Sequence, residues 1–136
     1  MERGTIKIEI AKDQTPFVEF NFEKNNLWQT KYEIARLLGC FVQKIDAELK
    51  IIFKERLLCE SDCIRCNRYI DNGLEKQTEY YNLDVLIFLC YRINTFEAKL
   101  IREFVKSALL DHLKSNKKPP TEPVLAYLPT FNYCLN

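Results

Sequence analysis

The chain has 136 residues, 47% of them hydrophobic and 29% charged, a size and balance that give one domain with a single sizeable core rather than a disordered or fibrous chain. Lys and Arg total 20 against 19 Asp and Glu, so the net charge is only +1, which excludes a strongly basic polyanion-coating protein. No stretch approaches the roughly 20 apolar residues of a membrane span, and the start MERGTIKIEI lacks a basic-then-apolar leader pattern, so a cytoplasmic location is expected.

Residues 5–10, TIKIEI, alternate apolar and polar, and residues 17–22, FVEFNF, do so again after Asp13-Gln14-Thr15-Pro16. This predicts a hairpin. Thr30 followed three residues later by Glu33 has the capping-box spacing that opens a helix. Within residues 30–54, TKYEIARLLGCFVQKIDAELKIIFK, two short amphipathic helices are expected, Thr30 to Gly39 and Phe41 to Lys54. Ala35 is small where the helices cross, Gly39 accepts the positive φ of a sharp turn, and Ile34, Leu38, Ile45 and Leu49 share one core. The layout is that of a helix-turn-helix. Its second helix offers Gln43, Asp46, Ala47, Lys50 and Lys54 outward. A plain helical hairpin fits the same spacing, and residues 23–56 carry seven basic against five acidic side chains, so electrostatics add little to a DNA reading.

Two β-like segments, Asp62 to Ile70 and Leu74 to Tyr81, flank Asp71-Asn72-Gly73. Asn-Gly is a strong hairpin signal because both residues tolerate positive φ. A winged helix carries its wing here. Leu83 to Ile93 is almost continuously apolar and is expected to be a buried helix, with Asn94-Thr95 ending it and capping the next. Phe96 to Lys114 sets Leu100, Ile101, Phe104, Val105, Ala108, Leu109 and Leu113 on a broad stripe. Residues 115–136 hold four of the five prolines and are expected to form an extended tail lying on a domain of residues 1–114.

The runs NNLWQTKYEIARLLGC and YYNLDVLIFLCYRINT, followed by Arg102-Glu103-Phe104, resemble the virulence RhuM family of bacterial proteins over Ile6 to Lys114. The most specific match is Tyr81-Asn82-Leu83-Asp84 with Tyr91-Arg92-Ile93-Asn94. More distantly, the order of elements is similar to the N-terminal domains of phage antirepressor and Bro-type proteins. The resemblance implies an α+β, winged-helix-like fold: N-terminal β-hairpin, helix-turn-helix, second β-hairpin and two C-terminal packed helices. It also implies a DNA-binding regulatory role without an established reaction. The chain departs from the family where bases would be read, since Cys40, Phe41 and Val42 replace small polar or basic residues. Gln43, Lys44, Ala47 and Lys50 then remain for readout, with Gln43 suited to adenine and Lys44 to guanine or phosphate. Lys54, Arg65 and Arg68 add phosphate contacts. Phe41 and Val42 provide the alternative, an apolar patch for a protein partner, and a homodimer is the expected assembly.

Other chemistry is less well supported. Cys59, Cys63 and Cys66 have the spacing of an iron-sulfur triad, but a strand would send Cys63 and Cys66 to opposite faces. A zinc site would need a fourth ligand from Cys40, Cys90, Cys134 or His112. Reduced, core-packed cysteines are expected instead, without metal or cofactor. His112 is read as a dipole-complementing residue late on the last helix, and neither a nucleophile elbow nor a phosphate-cradling glycine loop is present, so no catalytic residue is assigned. Asp84 and Arg92, eight apart on one helix face, are expected to share a polar network. They also suit the helix dipole at opposite ends, while Tyr91, Arg92 and Asn94 can alternatively form a small recognition site.

Overall fold

The computed structural model describes residues 2–115. It has the α+β order expected of a winged helix: β1 (Thr5–Ile10), β2 (Pro16–Asn21), α1 (Lys31–Leu38), α2 (Val42–Lys54), α3 (Glu60–Cys63), β3 (Ile64–Asp71), β4 (Leu74–Tyr81), α4 (Leu83–Arg92) and α5 (Phe96–Ser115). The expected tail lies outside the described residues.

Local chemistry explains most boundaries. Thr30 Oγ1 accepts from the Glu33 N–H at 3.2 Å and Glu33 Oε1 accepts from the Thr30 N–H at 3.0 Å, closing the capping box of α1. Gly39 ends α1 with φ 64° and turns the chain toward α2. A Cβ at that position would also lie 2.6 Å from Glu97 Oε2, the movable end of a flexible side chain, so the positive φ is what calls for glycine. Asn72 (φ 52°) and Gly73 (φ 75°) make the two-residue turn between β3 and β4. Thr95 caps α5, accepting from the Ala98 N–H at 3.1 Å, while its hydroxyl donates to the Leu38 carbonyl at 2.6 Å. The start of α5 is thereby fixed to the end of α1.

Each hairpin is an antiparallel two-stranded sheet. Residues 28–29 join them: the Trp28 N–H donates to the Arg3 carbonyl at 2.8 Å, and Gln29 exchanges backbone hydrogen bonds with Tyr81 at 2.9 and 2.7 Å. Between the sheets and helices lies a core built on Leu27, Ile34, Leu38, Ile45, Ile52, Leu86, Leu89 and Ile101.

Two expectations change. The strand expected from Asp62 starts at Ile64, because residues 60–63 form the single turn α3; a four-residue helix is too short for any hydrophobic period to reveal. Of the apolar stripe of α5 only Ile101 is fully buried, with Leu100 and Val105 half-buried, while Leu109 and Leu113 are 56% and 60% exposed. At 1.5 Å per residue a 20-residue helix runs about 30 Å and outruns the core beneath it. Phe104, stacked on Phe20 with ring centroids 4.8 Å apart, marks where cover ends.

Candidate nucleic-acid interface

The outward face of α2 follows from its inward one. Ile45, Leu49 and Ile52 point into the core, which leaves Gln43, Lys44, Ala47, Lys50 and Lys54 exposed. Asp46, half-buried, receives the Lys31 ammonium at 3.0 Å, and this hydrogen bond raises the Lys31 pKa. Phe41 stands at the N-cap of α2, 83% exposed, with no side-chain hydrogen bond. Val42 packs against the core instead, so the apolar patch expected at these two residues reduces to Phe41.

Glu48 occupies the core side of α2 between Ile45 and Ile52, with 8% of its side chain exposed. Arg92, from the last turn of α4, donates Nε to Glu48 Oε2, and Lys44 Nζ lies 3.1 Å from Glu48 Oε1. The Arg92 hydrogen bond, followed by Lys44, holds the Glu48 carboxyl below its ordinary range despite burial. This corrects the expected Asp84–Arg92 network. Residues eight apart on a helix are separated by about 12 Å along its axis, whereas α2 packs directly on α4. Asp84 is exposed in the first turn of α4, where its charge complements the dipole. Lys44, the other cation at Glu48, keeps 52% of its side chain exposed. Lys50 and Lys54 make no salt bridge among the described residues.

The wing divides its arginines. Side chains alternate along β3, so Arg65, Asn67 and Tyr69 form one set and Cys66, Arg68 and Ile70 the other. The Arg65 guanidinium stacks 4.1 Å from the Trp28 ring centroid. Arg68 pairs across with Gln77, in the set that continues to Tyr81, and Tyr81 faces Phe53 of α2 with ring centroids 6.5 Å apart. Arg68 thus shares the α2 side, and Arg65 does not act with it. Between α2 and the wing runs a groove of about 580 Å³ in which Lys31, Lys50 and Lys54 oppose Asp46, Glu60 and Glu79. Its polarity is mixed. Burial, with the hydrogen bond from Tyr81 to Glu79 at 3.0 Å, raises the Tyr81 phenol well above its usual range and keeps it protonated.

Two of the signature residues, Asn82 and Arg92, hold the frame together. Asn82 caps α4, its Oδ1 accepting from the Val85 N–H at 3.2 Å and its Nδ2 donating to the Asp62 carbonyl at 3.4 Å. Tyr91 and Asn94 are exposed. Two residues to which the sequence assigned no contact complete the frame: Asn26 Oδ1 accepts from the Leu27 and Leu83 N–H groups at 2.8 and 3.1 Å, and Arg102 donates to the carbonyls of Cys90 and Ile93, closing the end of α4. Glu48 was legible, since a carboxylate on the core side of an amphipathic helix requires a partner.

Cys40, Cys63, Cys66 and Cys90 are free thiols, whereas Cys59 is disulfide-bonded, which corrects the expectation of reduced cysteines there. Cys63 belongs to α3 rather than to a strand and is buried, while Cys66 on β3 is exposed. Burial pushes the Cys63 thiol up to about 11 and the Cys90 thiol up to about 12, so neither provides a thiolate near neutral pH. Among the described residues no three His, Cys, Asp or Glu side chains are grouped to hold a metal ion, and no helix is long and apolar enough to cross a membrane. No family model matches the chain, and neither a curated protein nor a solved structure is significantly similar to it.

Proposed function

We propose that this chain is a weak DNA-binding regulatory module of the antirepressor type, acting in the cytoplasm, with α2 as its recognition helix and β3–β4 as its wing. The observation that carries the reading is the outward row Gln43, Ala47, Lys50 and Lys54 on α2, whose two lysines are uncommitted to any salt bridge among the described residues. Gln43 is suited to a bidentate contact with adenine. Lys50, Lys54 and Arg68 supply phosphate contacts on the side that α2 shares with the wing. Lys44 and Arg65 are occupied with Glu48 and Trp28, so the electrostatic contribution is modest.

The test is duplex binding across a salt series. Three phosphate contacts, each releasing about 0.9 counterions, give a slope of log K against log salt near −2.7. Reversing Lys50 and Lys54 to glutamate together should abolish binding to every duplex, while Gln43→Ala should change preference among sequences by about 1 to 3 kcal/mol. Absence of binding at low salt, or binding indifferent to the double reversal, rejects the reading. A protein-interaction module, favoured by the exposure of Phe41 at the head of α2, would then take its place.

A further inference from the structure

β1 pairs with β2 along one side only. Among the described residues, the backbone of Thr5–Ile10 has no partner on the other side. Six residues at about 3.3 Å each make an edge of roughly 20 Å, and an unpaired edge is a template for a further strand. Beside β1 lies a groove of about 570 Å³ toward α1 and α5, with Ile8, Ile10, Leu37 and Phe96 on its walls. Ile10 is 72% exposed and Phe96 64%. Gln29 also lines the groove, and its Oε1 is buried without a hydrogen-bond partner among the described residues.

The order of side chains on β1 specifies what completes this edge. When β1 is laid antiparallel to the same strand of a second copy, with Ile8 opposite the partner's Ile8, Lys7 falls opposite the partner's Glu9. By symmetry Glu9 falls opposite the partner's Lys7. On the other face Ile6 meets the partner's Ile10. Within one copy Lys7 Nζ already lies 3.1 Å from Glu9 Oε1 and 3.7 Å from Glu19 Oε2, all three side chains staying well exposed, so the facing copy extends this charge cluster; opposite charges and apolar side chains at directly facing positions both favour pairing. The neighbouring registers that keep the apolar face together place Lys7 opposite the partner's Lys7, or Glu9 opposite the partner's Glu9, which like-charge repulsion disfavours.

We infer that two copies of this chain associate through β1, forming a four-stranded antiparallel sheet about a two-fold axis through Ile8. The contact is isologous and closes at two copies. It consumes both exposed edges and covers Ile10 at the mouth of the groove. It does not rest on the DNA-binding reading.

The experiment is sedimentation of the full chain across a concentration series. The unaltered chain should reach a molar mass near twice that of one copy. Lys7→Glu alone and Glu9→Lys alone each set two like-charge pairs across the two-fold, and each should remain monomeric. An equimolar mixture of the two should recover the dimer, because the introduced glutamates then face the introduced lysines. Recovery on mixing also shows that both variants are folded. A monomer at every concentration overturns the inference. So does a dimer that survives both single substitutions, which would place the contact elsewhere, or a mixture that stays monomeric.

Discussion

Arg92 donates Nε to Glu48 Oε2 across 44 residues of sequence, joining the last turn of α4 to the core side of α2. The acceptor side chain is 8% exposed and the donor 35%, so the pair lies between a surface ion pair and a buried one. Surface pairs contribute about 0 to 1 kcal/mol, whereas breaking a fully buried pair costs about 3 to 5. Arg92→Ala should therefore lower unfolding stability by about 2 kcal/mol, leaving Lys44 as the one remaining cation at Glu48. Urea titration of the variant checks this. Glu48→Met, which fills the site without a charge, should cost less than Arg92→Ala does.

Acid should weaken the fold through two carboxylates. Arg92 and Lys44 hold Glu48 below its ordinary range; Glu33 is pushed up by burial but held lower on balance by the Thr30 N–H and Arg3. A depressed folded-state pKa means that the unfolded chain binds the proton first. The stability these groups contribute is present above the ordinary Glu value of about 4.3 and is lost as pH falls through the lower folded values. Melting temperature measured against pH should drop below that point. Glu48→Gln should flatten the drop, and an unchanged profile would remove Glu48 from the account.

Gly39→Ala forces a Cβ into a left-handed backbone position and toward Glu97. The backbone contribution costs about 1 to 2 kcal/mol. Since the obstacle is the end of a flexible side chain, Glu97→Ala in the same protein should recover only the steric part. Thermal melts of the single and double variants separate the two. Full recovery in the double variant would show that φ contributes nothing.

Trp28 is the only tryptophan, and Arg65 stacks on it, so its fluorescence reports the back of the wing. Arg65→Ala should shift the emission and cost about 1 kcal/mol of stability, with the salt dependence of duplex binding unchanged. Arg68→Ala should leave the emission alone and reduce the salt slope by about 0.9. The reverse assignment would move the proposed DNA contact to the other face of the wing.

The elements legible in the sequence are those whose causes are local. Thr30 with Glu33, Gly39, Asn72-Gly73 and Thr95 act within a few residues of themselves, so helix starts, the tight turn and both hairpins could be placed from spacing alone. The separation of Arg65 from Arg68 was also available, because side chains three apart on a strand point to opposite faces. Tertiary structure decided the rest. Whether Arg92 met Asp84 or Glu48, and whether Lys44 was free, depended on which helix packed against α4, a relationship 44 residues long that no period encodes. The cover over α5 was decided in the same way: its apolar stripe is continuous in sequence, but burial stops near Ile101 because the core beneath it, assembled from the other elements, is shorter than the helix.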